Sequence, residues 1–267
     1  MTPRGRVDLR VRLLALAAWT LALGPACSVA DHYRDRSPLS VFAPSSMTDV
    51  MPELVTQFHR AHPDVAVEVT FAGSQILRLQ IEQGAAADVF VSANESHMTA
   101  LADGGHVARP RRLATTDLVI IVPLDNGAGI EQFEDLTRAE RIVSGTEHVP
   151  IGAYSDTVLN NASQHLGSEF TVEVRRRIVS EETNVRLIRA KVELGEADAA
   201  IVYRPDALAS DRVRLIPIPE QYNVRAQFLV SRTARNEHAS QAEQFLEFLS
   251  SPESAAILRA HGFTGAG

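Results

Sequence analysis

The sequence predicts an α/β fold of two lobes, each a mostly parallel sheet flanked by helices, with two chain crossings between them. Short apolar runs with strand character alternate with helical patterns along most of the chain. Two long apolar strands bracket a central block of the same alternation. Of the 267 residues, 45% are hydrophobic, which is enough to build sizeable cores.

In the first series of elements, each predicted strand is followed by a predicted helix. LSVFA (39–43) precedes a helical pattern at 47–61, VAVEVTF (65–71) precedes SQILRLQIEQG, and ADVFVSA (87–93) precedes SHMTALADGG. Because this alternation is typical of βαβ units, it predicts a parallel sheet covered by helices.

The second series begins after a long apolar strand, TTDLVIIV, which ends at Val122. It comprises RIVSG (141–145), a helix from Pro150, a helix from 183 or 184, DAAIVY (198–203) and VRLIPIP (213–219). A second long strand, VRAQFLVSR (224–232), and two helices follow. We therefore expect lobe one to contain residues 38–117 and 226–267 and lobe two residues 118–225, with a ligand cleft between them.

Residues 1–30 have the pattern of an export signal. Four arginines precede an apolar core of eleven residues (13–23), which is far short of the roughly 20 needed for a membrane span. Cys27 follows this core after the small residues Gly24, Pro25 and Ala26 and is the only cysteine of the chain. Its position favours lipidation after removal of residues 1–26, and thus a lipid anchor on the extracytoplasmic face of the membrane. The alternative is ordinary cleavage after Ala30, which discards Cys27 and gives a periplasmic protein.

The charge balance limits the kinds of partner. The formal net charge is −7, and removal of residues 1–26, which carry four Arg and one Asp, would make it −10. Such a chain is not expected to bind nucleic acid. It would bind an anion only through local dipoles, because its overall field opposes one.

Four predicted helix starts are polar and lack Lys or Arg. They are Ser45-Ser46, Gly73-Ser74, Val149-Pro150-Ile151-Gly152 and Thr183-Asn184-Val185. The first amides of a helix have no partner within it, and the helix dipole adds positive potential there. Each start taken alone is more typical of a plain N-cap than of a ligand site. If several converge with Tyr203, at the end of the strand DAAIVY, they would hold a dianion.

Five segments together resemble the periplasmic molybdate-binding protein family, in order and across nearly all of residues 39–264. They are VFAPSSMTD (41–49), FAGSQILRLQIEQGAAADVFVSA (71–93), EHVPIGAYSDTVL (147–159), NVRLIRAKVELGEADAAIVYRPDA (184–207) and HGFT (261–264). The resemblance implies the type II periplasmic binding protein fold and capture of molybdate and tungstate for an ABC permease. It implies a monomer without catalytic residues or cofactor, in which the metal is bound only as its oxyanion.

The same resemblance implies the ligand-binding residues. The hydroxyls and amides of two serine turns fall on Ser46, with Ser45 as an accessory, and on Ser74. Two further amide donors fall on Ile151 and Val185, and a phenol donor falls on Tyr203. This chain departs from the family in having isoleucine at position 151, where a smaller residue is usual, and in a longer segment from 163 to 179.

Other polar residues have simpler expected roles. Asp49 is expected to cap the first helix, Asp88 to be buried and bonded to backbone amides, and His148 to lie in a loop without a metal.

Other functions stay open at this level. A binding protein for sulfate or thiosulfate would share the architecture, and so would a ligand-sensing regulatory domain, although the export signal argues against the latter. An extracytoplasmic enzyme is a further alternative, but the chain lacks a G-x-S-x-G nucleophile motif.

Overall fold

A single mixed sheet runs through the part of the chain that the computed structural model describes, residues 37–265. The strands are β1 (Leu39–Pro44), β2 (Val67–Ala72), β3 (Val89–Ser92), β4 (Arg111–Pro123), β5 (Ile142–Gly145), β6 (Ile178–Glu182), β7 (Ala199–Tyr203), β8 (Val213–Pro217), β9 (Arg225–Arg232) and β10 (Thr264–Gly265). Their order is β2-β1-β3-β9-β4-β7-β5-β6, and β8 and β10 also pair with β4.

The long strand β4 joins two halves of this sheet. Its residues 111–117 pair with β9, whereas residues 118–123 pair with β7 and β8. We call β1, β2, β3, β9 and β10 with their helices half one, and β5 to β8 with theirs half two. Each half contains three parallel strands, and the pairs made by β4 and β9 are antiparallel. The predicted α/β class is confirmed, and the sheet is mixed; the residue bounds proposed for two lobes stay a prediction.

Helices cover both halves. They are α1 (Met51–Ala61), α2 (Ser74–Glu82), α3 (Glu95–Asp103), α8 (Ala239–Leu249) and α9 (Pro252–Ala260) in half one, and α4 (Pro150–Leu166), α5 (Ser168–Arg176), α6 (Val185–Glu193) and α7 (Arg204–Leu208) in half two. Short 3-10 turns lie at Ser45–Met47 and Phe133–Arg138.

The cores follow from the apolar faces of these elements. In β4, residues 118–122 are all buried, as expected for a strand covered on both sides. In α1, Met51, Leu54 and Phe58 lie on one face at helical spacing and are fully buried. Phe58 meets Phe245 of α8 edge to face at 5.0 Å. Each such buried side chain contributes about 1.5–3 kcal/mol of transfer free energy, which fixes α1 on the sheet.

The chain passes between the halves twice, first in β4 and again just before β9. One side chain, that of Asn223, forms hydrogen bonds between these two crossings. Asn223 precedes β9, and its amide nitrogen donates to the carbonyl of Leu118 in β4 at 2.9 Å. Its amide oxygen accepts from the backbone N–H of Leu118 at 3.3 Å. This pair of bonds sets the register of the two crossings at the point where β4 passes from one half to the other.

The start of α1 and the segment after α4 differ from the expectation. The helix expected from residue 47 is divided into the 3-10 turn at Ser45–Met47 and α1, which has Pro52 in its first turn. Proline is favoured there because its missing N–H costs nothing at a helix start. The long segment 163–179 contains the break at Gly167, where φ is +86°, and the whole of α5, which the pattern did not predict. Glycine adopts such a φ without strain, so α4 ends there.

The expected export signal and the lipidation site Cys27 lie outside the described residues. Within residues 37–265, no helix combines the length and the apolar character that a membrane crossing would need.

Candidate functional site

A cavity of about 200 Å³, including its opening to solvent, lies between half one and half two. It is lined by Pro44, Ser45, Ser46, Ala72, Gly73, Ser74, Ala93, Val149, Pro150, Ile151, Asn184, Val185 and Tyr203. All six residues implied as oxyanion ligands are in this set. The structure therefore brings them together, and their part in binding remains a prediction.

Ser46 reaches the cavity from the end of β1. Pro44 ends the strand in an extended conformation, and the 3-10 turn that follows carries Ser45 and Ser46 at the strand's carboxyl edge. Ser46 is buried, and its Oγ has no hydrogen-bond partner among residues 37–265. A buried hydroxyl without a partner is costly, so this side chain is suited to meet a ligand.

Ser74 is the first residue of α2, after Gly73 in the N-cap position. Its Oγ accepts a hydrogen bond from the backbone N–H of Ala93 at 3.0 Å, at the end of β3. This bond fixes the side chain and leaves its O–H free to donate. The amide of Ser74 is one of the first in α2 and has no partner within the helix.

The start of α4 brings the amide of Ile151 to the cavity. Pro150 occupies the first turn, and no side chain caps the helix. Gly145 of β5 and Gly152 allow the helix to approach the strand end, since a Cβ on Gly152 would overlap the carbonyl oxygens of Gly145 and Thr146. The buried side chain of Ile151 packs beside Gly145, where the missing Cβ gives it room. The bulky residue at 151 is thus accommodated against the strand.

At α6 the N-cap leaves one amide available. The side-chain oxygen of Asn184 accepts from the N–H groups of Arg186 and Leu187 at 3.0 and 3.2 Å. These are the second and third amides of the helix, so the cap satisfies them and leaves the first, that of Val185, for another acceptor. The helix dipole makes this position favourable for an anion.

Tyr203 completes the set from the end of β7. The residue is 1% exposed, and within the described chain its hydroxyl has no hydrogen-bond partner. Its ring is held edge to face by Phe228 at 5.5 Å and by Tyr154 at 6.3 Å. Burial raises the pKa of Tyr203 well above its ordinary value of 10, and Tyr154 and Asp206 add to this effect. The phenol therefore stays protonated and acts as a donor.

The lining of the cavity offers hydrogen-bond donors without a formal charge. None of the lining residues is Asp, Glu, Lys, Arg or His. Hydroxyls and helix-start amides from both halves face the same space, and each helix adds about half a positive charge at its start. Such a set favours a small, fully deprotonated anion, because every oxygen of the ligand would accept and none would need to donate.

A buried acid that the sequence gave no reason to select lies close to this site. Asp206, in the first turn of α7, is fully buried, and neither carboxylate oxygen has a partner in the described part of the protein. Burial raises its pKa to about 7, against the opposing effects of Arg189 and Arg186. Asp206 does not line the cavity.

Two of the simpler expectations are settled by contacts. Asp49 does not cap α1 as expected: its carboxylate pairs with Arg186 of α6, because the turn at Ser45–Met47 places it opposite that helix. Asp88 is buried and accepts from backbone amides, including that of Ser40 at 2.8 Å, as predicted.

His148 lies in the turn before α4, as predicted, and its imidazole is largely exposed. Its backbone carbonyl accepts from Nε2 of His97 in half one at 2.9 Å, which is a further contact between the halves. Burial lowers the pKa of His97, so the neutral form with a proton on Nε2 is favoured. Among residues 37–265 there is no group of three or more His, Cys, Asp or Glu side chains arranged to hold a metal ion.

Comparison with known proteins agrees with this architecture. The molybdate-binding protein ModA of Mycobacterium tuberculosis is 32% identical over 254 residues, covering 93% of this chain and 94% of that protein. A putative ABC transporter substrate-binding lipoprotein of Bacillus subtilis, YvgL, is 29% identical over 259 residues, covering 94% and 96%. The periplasmic molybdate-binding protein of Azotobacter vinelandii has the same fold, with a TM-score of 0.74 at 22% identity, covering 86% of this chain and all of that one.

The family model for bacterial extracellular solute-binding proteins matches residues 39–264. That range contains the whole sheet except its last residue, all the helices given above and every residue of the cavity lining. The chain therefore belongs to the family of bacterial extracellular solute-binding proteins.

Proposed function

We propose that this protein captures molybdate, and also tungstate, as the doubly charged oxyanion and delivers it to an ABC importer. The observation that carries the proposal is the pair of buried hydroxyls, Ser46 and Tyr203, that have no partner among residues 37–265 and line one cavity from opposite halves. A tetrahedral oxyanion between them would satisfy both. The relatives named as molybdate-binding proteins support the same ligand.

Binding would depend on both halves. Ser46 and Ser74 belong to half one, whereas Ile151, Val185 and Tyr203 belong to half two. Because donors of both halves reach the anion only when the halves are close together, the ligand selects the closed arrangement. An importer that accepts the closed form would then receive only loaded protein.

Selectivity follows from the chemistry of the donors. Phosphate near neutral pH retains a proton, which would be buried in the cavity without an acceptor, at a cost of about 1–3 kcal/mol. Sulfate carries no proton, so its rejection would have to rest on its smaller size. Molybdate and tungstate have nearly equal size and charge, so both are expected to bind.

The way the protein is retained outside the cytoplasm is part of the proposal. The family is extracellular, and the similar protein of Bacillus subtilis is named as a lipoprotein. We expect Cys27 to carry the lipid that holds this protein, as a monomer, near its permease. Mass spectrometry of the exported protein would detect the lipid on Cys27, and cleavage after Ala30 would contradict this expectation.

One calorimetric series tests the function. The purified domain is titrated with molybdate, tungstate, sulfate and phosphate under identical buffer conditions. We expect saturable heat with the first two and none with phosphate. Heat with sulfate and none with molybdate would assign the cavity to a different oxyanion, and the absence of heat with all four would refute an oxyanion site.

A further inference from the structure

The start of α6 is held by two side chains of half one. The Asp49 carboxylate pairs with Arg186 and lies 3.8 Å from a guanidinium nitrogen of Arg189. On the other side, the amide nitrogen of Gln75 donates to the carbonyl of Thr183 at 2.7 Å. Side chains of half one therefore contact the segment 183–189 of half two on two sides.

The two residues that make these contacts, Asp49 and Gln75, lie close to the serine turns in the sequence. Asp49 is three residues after Ser46, and Gln75 is the residue after Ser74. Their targets, Thr183 and Arg186, flank Asn184 and Val185. A displacement of Asp49 or Gln75 relative to this segment would therefore move the amide of Val185 relative to both serines.

The approach between the halves is so close that one position requires glycine. A Cβ on Gly73 would lie 2.5 Å from the carbonyl oxygen of Thr183, which is below any normal carbon–oxygen contact. Its φ of −65° and ψ of 141° suit any residue, so the backbone itself does not demand glycine. The added Cβ would also meet the amide group of Gln75 in half one at 2.5 Å, but that group ends a flexible side chain and can move. The conflict that remains is with the backbone carbonyl of Thr183 in half two.

The ionic contact is anchored on the side of half two. Arg189 is buried, pairs with Glu193 at 2.9 Å and donates to the backbone carbonyl of Asp206 at 3.0 Å. Its position is thus fixed before Asp49 approaches. The side chains of Asp49 and Arg186 are 35% and 28% exposed, so their pairing is partly screened and sensitive to salt.

We propose that Asp49 and Gln75 are positioning residues that hold the α6 amide of Val185 on the ligand and thereby set how tightly the oxyanion is retained. This inference rests on the proposed function, because it concerns the same cavity. Neither residue lines that cavity, so both act through the closeness of the two halves.

The test compares Asp49→Asn and Arg186→Gln, separately and together, by calorimetric titration with molybdate. We expect each single variant to raise the Kd about three- to tenfold. The double variant should bind no more weakly than the weaker of the two single variants, because all three lose the Asp49–Arg186 pair. Raising NaCl from about 50 to 500 mM should weaken the wild type more than Asp49→Asn.

A matched control separates positioning from general stability. Asp156 pairs with Arg175 at 2.5 Å entirely within half two, with side chains 44% and 40% exposed, so Asp156→Asn removes the same charge away from the cavity. We expect its Kd to equal that of the wild type. The Tm of ligand-free Asp49→Asn should also stay at the wild-type value, whereas a merely structural role would lower it.

Gly73→Ala tests whether binding requires the close approach of Gly73 in half one to Thr183 in half two. We expect at least a tenfold rise in Kd with an unchanged ligand-free Tm, and small-angle scattering with excess molybdate should show a more extended particle than the loaded wild type. If the wild type binds molybdate and both Asp49→Asn and Gly73→Ala bind equally well, the inference is wrong while the proposed function stands. If the wild type binds none of the four oxyanions, the proposed function fails, and the inference fails with it.

Discussion

The hydroxyl of Tyr203 offers a direct test of whether the hydrogen-bond donors that line the cavity bind the ligand. Tyr203→Phe removes one oxygen atom and keeps the ring between Phe228 and Tyr154, whose edge-to-face contacts do not involve the hydroxyl. Since that hydroxyl is buried and unpartnered within residues 37–265, no hydrogen bond of the ligand-free protein is lost. The variant therefore isolates the contribution of one donor to the ligand.

The expected magnitude follows from the charge of the ligand. A hydrogen bond to a charged group contributes about 1.5–3 kcal/mol, which corresponds to a rise in Kd of roughly 10- to 150-fold. The free energy of unfolding without ligand should not fall, because burying an unsatisfied hydroxyl is unfavourable and the phenylalanine avoids that cost. Affinity and ligand-free stability are thus expected to respond differently.

Two measurements on the same samples examine this. Calorimetry gives the Kd for molybdate, and thermal unfolding gives the Tm with and without the anion. Ser46→Ala, at the other unpartnered hydroxyl that lines the cavity, should behave in the same way. A Tyr203→Phe protein that loses several degrees of ligand-free Tm but binds molybdate as the wild type does would refute the reasoning, since its hydroxyl would then be bonded within the protein.

Two further outcomes are expected. Ser74→Ala should lower both molybdate affinity, by about 1–3 kcal/mol, and ligand-free Tm, because the backbone N–H of Ala93 loses its acceptor; a change in affinity alone would contradict the bond seen at 3.0 Å. The pKa of Asp206 is raised to about 7 in the folded protein from an ordinary 3.8. The free energy of unfolding of the wild type, compared with that of Asp206→Asn, is therefore highest below about pH 4 and falls as the pH rises towards 7, because the carboxyl group must then ionise while buried. The Tm of Asp206→Asn minus that of the wild type should accordingly increase from pH 4.5 to pH 8, and a constant difference would show that Asp206 does not titrate in this range.

Much of the fold could be predicted because its signals are local. The alternation of strand and helix patterns identified β1, β2, β3 and the helices between them, since period-2 and period-3.6 patterns are written in neighbouring residues. The short elements α5 and β6 were missed, because α5 is separated from α4 only by Gly167 and β6 is half-exposed and rich in charge. Strand direction was only partly predicted, since antiparallel pairing by β4 and β9 depends on partners distant in the chain.

The site could be predicted as a set of candidates but not as a geometry. Ser46, Ser74 and Tyr203 each end or follow an apolar strand, and this is visible in the sequence. Asp49 was assigned to the wrong role because its partner, Arg186, is 137 residues away. The burial of Asp206 was missed for a similar reason, as no local pattern distinguishes a buried acid in a first helical turn from a capping one.

By itself, the sequence determined which helix starts are polar, uncharged and supplied with free amides, because capping and strand ends depend on adjacent residues. Only the tertiary structure decided that the amide of Val185 remains free while Asn184 satisfies its neighbours, and that the serine turns face Tyr203 across one cavity. It also decided the requirement for glycine at 73, which comes from the carbonyl of Thr183 in the other half. The physical reason is that convergence and steric exclusion are properties of distances between remote segments, and packing alone fixes those distances.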